Sequence, residues 1–120
     1  MGERRQYVRI NKSVEVTYQV IKSFLKSGTR SADLSLAGIR LPVMQRLGVG
    51  TMLKMEIRFT GLSEPVKITG QVAWLAETEG GEFPFEIGVK FGFISLQDLD
   101  TLKQMINKAD DNPDNLRFLD

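Results

Sequence analysis

Arg30-Ser31-Ala32-Asp33-Leu34-Ser35-Leu36-Ala37-Gly38-Ile39-Arg40-Leu41 reads as the end of one strand, a turn, and the start of another. Asp33 and Ser35 are two residues apart, so in an extended run their side chains leave one face while Leu34 points to the other. A carboxylate and a hydroxyl then stand side by side. Gly38 follows three residues after Ser35, where a reversing chain can use a residue without a Cβ. The strand that begins at Ile39 is expected to end near Pro42, which has no N–H for a ladder.

The same period of two extends in both directions. Upstream, Val14, Val16, Tyr18 and Val20 alternate with Glu15, Thr17 and Gln19, and residues 22–29 read as the connection to the motif strand. Downstream, Leu53, Met55, Ile57 and Phe59 form one alternating run, and Val66, Ile68, Gly70, Val72 and Trp74 form a second. Phe85, Ile87, Val89, Phe91 and Phe93 form a third. Gly80-Gly81 marks a hairpin between the last two. Ser95 with Asp98 resembles a helix N-cap with an acidic first turn. Leu96, Leu99, Leu102, Met105 and Ile106 then fall at helical spacing, and Asn112-Pro113 should stop the helix by Asp111. The class is therefore all-β with a C-terminal helix. Six half-buried strands suit an antiparallel barrel, although periodicity by itself does not separate barrel from sandwich.

Bulk composition narrows the chemistry. A chain of 120 residues with 42% hydrophobic and 26% charged residues can bury one core, and a net charge of +1 argues against binding a nucleic acid polymer by bulk charge. Cations nevertheless crowd the beginning, where Arg4, Arg5, Arg9 and Lys12 have only Glu3 among them. Without cysteine or histidine there is no thiolate, no imidazole base and no Cys- or His-ligated metal, so an enzyme is disfavoured. The sequence has no signal-peptide core and no run near the ~20 apolar residues of a membrane helix, so a cytoplasmic protein without membrane insertion is expected.

Arg5-x-x-x-Arg9 followed by Asp33-x-Ser35-x-x-Gly38 resembles the two-part signature of PilZ domains, which bind the bacterial second messenger cyclic di-GMP. Val72-Ala73-Trp74, Ile87-Gly88-Val89-Lys90-Phe91 and the final helix occur in that family's order, so the resemblance covers roughly the whole chain. It implies a six-stranded antiparallel β-barrel with a C-terminal helix over residues 13–120, preceded by a basic arm over residues 1–12. It also implies a non-enzymatic receptor with no cofactor besides its ligand, which relays the messenger to an unidentified protein partner.

The residue chemistry is compatible with that implication. Arg guanidinium forks onto phosphate, reaches guanine O6 and N7, and stacks on bases. Asp33 can accept from guanine N1–H and N2–H, donors that adenine lacks. Ser35 could add a hydroxyl contact, and Gly38 would admit the backbone close to the ligand. Arg4 supplies one more cation, suited to a stacked pair of ligands and a ligand-linked homodimer. Each residue also has a structural reading. The arginines could be a solvated terminus, and Asp33 and Ser35 could simply bond the turn before Gly38. Gly38 and Gly88 could answer to backbone packing. Trp74 sits among apolar neighbours, which favours the core, with a stacking wall beside the ligand as the alternative. Three other functions compete: a PilZ-like interaction module that binds no nucleotide, a single-strand nucleic-acid barrel, and an enzyme. The barrel would need aromatics exposed between cations, whereas the alternation places every strand phenylalanine inward.

Overall fold

The computed structural model describes residues 9–10, 13–110 and 116–117. Among them nine strands form a single antiparallel sheet: β1 (Arg9–Ile10), β2 (Glu15–Val20), β3 (Ser27–Arg30), β4 (Asp33–Leu34), β5 (Gly38–Val43), β6 (Met52–Arg58), β7 (Val66–Glu77), β8 (Phe85–Ile94) and β9 (Leu116–Arg117). Helix α1 (Leu96–Asp110) comes after β8. The order across the sheet is β3-β2-β6-β7-β8-β5-β4-β1-β9. The seven strands β2 to β8 wrap as a half-barrel, which corrects the expectation of a closed six-stranded one.

The difference arises in the stretch before the motif. Residues 27–30, read from sequence as part of a connection, pair back on β2 with Tyr18 opposite Ser27 and Glu15 opposite Arg30. Three residues later the chain joins β5 instead, with Asp33 opposite Arg40 and Leu34 opposite Ile39. Ser31 pins the crossing, since its N–H donates to Val14 O and its Oγ accepts from Val14 N. One extended run is thereby shared between the two margins of the barrel, and no ladder among the described residues joins β3 to β5. Side chains bridge that seam: Thr29 Oγ1 donates to Pro42 O at 2.7 Å, and Gln45 Nε2 donates to Ser27 Oγ at 2.9 Å.

Pro42 lies within β5 and does not end it. Its carbonyl faces the seam, so its missing N–H faces the seam as well, where no ladder bond is lost.

Alternation fills the interior with Val16, Tyr18, Leu34, Leu41, Leu53, Ile57 and Ile87, and Leu102 and Ile106 from α1 complete it. Each such side chain contributes about 1.5–3 kcal/mol when fully buried. The N-cap forms as expected, with Asp98 N donating to Ser95 Oγ at 3.1 Å. Asp98 Oδ2 also accepts from Lys67 N, tying α1 to the start of β7.

Two register shifts in the β7–β8 ladder overturn parts of the sequence reading. One falls between Val72 and Trp74, leaving Ala73 as the extra residue; the other falls between Thr69 and Gly70, leaving Gly92 extra on β8. An inserted residue reverses the in–out phase of the strand beyond it. Trp74 and Phe93, both expected inward, accordingly point out and are 41% and 73% exposed. Leu96, expected in the helix stripe, is 84% exposed in the first turn of α1.

Candidate functional site

Four strands bring a row of outward residues together. Asp33 on β4 lies opposite Arg40 on β5, Arg40 opposite Gly88 on β8, and Gly88 opposite Trp74 on β7. Arg40 Nη2 is 3.2 Å from Asp33 Oδ2, and its Nη1 is 3.8 Å from Glu86 Oε1, one outward position along β8. The Asp33 side chain is 9% exposed and that of Arg40 38%. The pair is thus shielded at one end and wet at the other. Sequence reading missed Arg40 and Glu86. The signal was available in principle, because Asp33 and Arg40 occupy matching outward positions on either side of a turn.

Ser35 adopts its structural reading. Its Oγ accepts from Ala37 N at 3.1 Å and from Gly38 N at 3.3 Å, while Ser35 N donates to Gly38 O at 2.9 Å. The hydroxyl closes the corner between β4 and β5, as Ser turns do. Gly38 answers to backbone packing, its structural reading, and not to a dihedral that glycine alone adopts. It is not among the residues at positive φ, but a Cβ built there would stand 2.3 Å from Val89 O. Close approach of β5 to β8 is what excludes a side chain.

Gly88 plays the same part toward a side chain. A Cβ at Gly88 would fall 2.1 Å from Trp74 Nε1, so the indole lies across the space that glycine leaves. Ser35, Gly38, Arg40, Trp74, Gly88 and Lys90 line a cleft of about 190 Å³ beside it. Gly88→Ala is expected to lift the indole from this slot. Trp74 is the chain's single tryptophan, so its emission should shift to the red with a stability change within about 1 kcal/mol, because an exposed ring can move aside. An unshifted spectrum would mean the ring does not rest there.

The other half of the sequence signature is reached through the backbone. Ile10 on β1 pairs with Leu34 on β4, and in an antiparallel pair this sets Arg9 at the level of Ser35. β9 pairs with the other side of β1, Leu116 opposite Ile10, so the segment after α1 returns to the sheet. Arg4 and Arg5 lie outside the described residues, as do Phe118 and Leu119. Arg9 and the motif corner of Asp33, Ser35 and Gly38 are therefore neighbours on adjacent strands, and Trp74 lies three strands beyond β4 along the outward row. Among the described residues no helix is long and apolar enough to cross a membrane.

A family model described as PilZ domain matches residues 3–108. No curated protein sequence matches the chain. Among solved structures, the inhibitor of motility MotI/DgrA from Bacillus subtilis has a TM-score of 0.68 at 20% identity, over 89% of this chain and 53% of that one. The PilZ domain of YcgR from Escherichia coli, solved with c-di-GMP, has a TM-score of 0.67 at 18% identity, over 93% of this chain and 98% of that domain. MrkH, a c-di-GMP-dependent transcription regulatory factor, has a TM-score of 0.69 at 16% identity, over 88% of this chain and 50% of that one. The chain thus spans about half the length of MotI/DgrA and of MrkH, and nearly all of the isolated YcgR domain.

Proposed function

The chain belongs to the PilZ domain family, and on that premise we propose that it is a non-enzymatic cytoplasmic receptor for cyclic di-GMP that relays the messenger to a protein partner. The observation that carries the reading is the convergence at one corner of the sheet. The strand bearing Arg9 pairs with the strand bearing Asp33, and Arg40 and Trp74 continue the outward row beside a cleft. A dianionic ligand with two guanines needs forked cations, an acceptor for the guanine edge and a flat apolar wall. In this reading Arg4, Arg5 and Arg9 clasp phosphate and base from the arm over residues 1–12. Asp33 accepts from the guanine edge, and Trp74 walls the cleft. Ser35 and Gly38 act mainly by holding the corner in shape, with the ligand approaching their backbone. The c-di-GMP complex of the YcgR domain supports the ligand class. The ligand would tie the arm to the barrel and so remodel the surface around β1. Arg4 would assist a second, stacked ligand and a ligand-linked homodimer.

One observation favours a second reading, a PilZ interaction module that binds no nucleotide. Asp33 is already paired with Arg40, and the Ser35 hydroxyl is committed to its turn. Calorimetry separates the two readings. Cyclic di-GMP should bind, with affinity falling as salt is added, while cyclic di-AMP and GTP should bind weakly or not at all. Absence of heat with cyclic di-GMP at low salt would leave the interaction module as the function.

A further inference from the structure

The second register shift in the β7–β8 ladder serves nothing in the messenger site. Bulges re-aim side chains, and the Val72/Trp74 shift turns Trp74 toward the cleft beside the motif. The Thr69/Gly70 shift does the same for Phe93 elsewhere on the sheet, where the outward row runs Gln19, Lys54, Thr69, Phe93 across β2, β6, β7 and β8. A groove of about 360 Å³ lies along this face, between the sheet and the first turn of α1. Lys26, Lys54 and Lys67 line it, against the two carboxylates Glu56 and Asp98, and Asp98 already accepts from Lys67 N. Leu96, next in sequence to the lining residue Ser95, is 84% exposed, and the β2–β3 turn that supplies Lys26 also presents Phe24, 98% exposed.

We propose that this groove is a docking site for an acidic amphipathic helix of a partner protein, whose apolar side chains seat against Phe93 and Leu96 while its Asp and Glu residues face Lys26, Lys54 and Lys67. Its size is that of pockets that take apolar anchors. Phe93 in the groove and Leu96 beside it are both exposed, two apolar side chains that a helix laid along the groove would cover. The three lysines favour carboxylates because the two acids beside them are engaged, Glu56 with Arg58 at 3.7 Å and Asp98 with Lys67 N. The concave shape gives a membrane no protruding wedge. The inference does not depend on the messenger reading, and its test omits cyclic di-GMP.

Short random peptides displayed on phage would be selected against the full chain. The selected peptides should carry apolar residues at helical spacing flanked by Asp or Glu, and should perturb the NMR resonances of Lys54, Lys67 and Phe93. Their affinity should fall at least about tenfold, or 1.4 kcal/mol, with Phe93→Ser and with Lys54→Glu, and stay close to wild type with Lys54→Arg. Phe93 and Lys54 are exposed, so thermal melting should be unchanged. Selection of no peptide, selection of peptides that lack acidic residues or map elsewhere, or indifference to Phe93→Ser would each overturn the proposal. Two further outcomes would reassign the face: Phe93-dependent binding to phosphatidylglycerol vesicles would make it a lipid surface, and a Phe93-dependent dimer seen by sedimentation would make it a contact between copies.

Discussion

Asp33→Ala is expected to weaken cyclic di-GMP binding about 100-fold, equivalent to ~2.7 kcal/mol, while the protein stays folded. The carboxylate is an acceptor for two adjacent donors on a guanine edge, and hydrogen bonds to a charged group are worth about 1.5–3 kcal/mol each when the partner is otherwise left unsatisfied. Part of that gain is offset because Asp33 already has Arg40 Nη2 at 3.2 Å, and the ligand must share or replace that partner. The loss is therefore placed near the bottom of what two such bonds could supply. Folding should suffer less than binding. Arg40 Nε is buried without a hydrogen-bond partner with Asp33 in place, but the side chain is 38% exposed and keeps Glu86 at 3.8 Å, so removing Asp33 leaves the guanidinium in reach of water and a destabilisation of about 1 kcal/mol is expected. Calorimetry paired with a thermal melt reads both quantities. An affinity within about twofold of wild type, with the melt unchanged, would remove Asp33 from the ligand and with it the argument for guanine over adenine.

Gly38→Val should lower stability by about 3 kcal/mol, whether or not ligand is present. The Cβ would stand 2.3 Å from Val89 O and 3.4 Å from Val89 C. These are backbone atoms of the neighbouring strand, which no rotamer change can move. β5 must separate from β8 near the pair Gly38–Lys90, weakening the ladder that carries Arg40 opposite Gly88. For a domain of this size the melting temperature should fall by roughly 10 °C. Gly28→Ala is the control. It lies in β3, with nothing within 4 Å of its added Cβ, and should leave the melt within about 1 kcal/mol of wild type or slightly raise it. Were Gly38 needed only to admit a ligand, its valine variant would melt like the parent and fail only in binding.

The contrast between Gly38 and Gly88 also marks the limit of sequence reading. Both glycines could be singled out in the chain, but one is excluded from bearing a side chain by a carbonyl and the other by an indole. Those neighbours come from residues 51 positions downstream and 14 positions upstream, and local pattern holds no information about them. Arg40 is a milder case, because its outward position across the turn from Asp33 was legible and only the pairing was not. It belongs to the site only because β4 and β5 pair in a register that sets it opposite Asp33.

The sequence by itself determined the class, the positions of β2 and of β4 to β8, the helix and its cap, the inward set from Val16 to Val89, and the motif residues that point to the family. These come from near-neighbour chemistry: a period of two, a period near 3.6, a capping hydroxyl, a turn. Only the tertiary structure decided that the barrel stays half open, because residues 27–34 divide between two margins with different partners. It alone turned Trp74 and Phe93 outward as well. A bulge is set by how two strands accommodate each other, and a single inserted residue reverses the face of everything beyond it while leaving the alternation in the sequence intact.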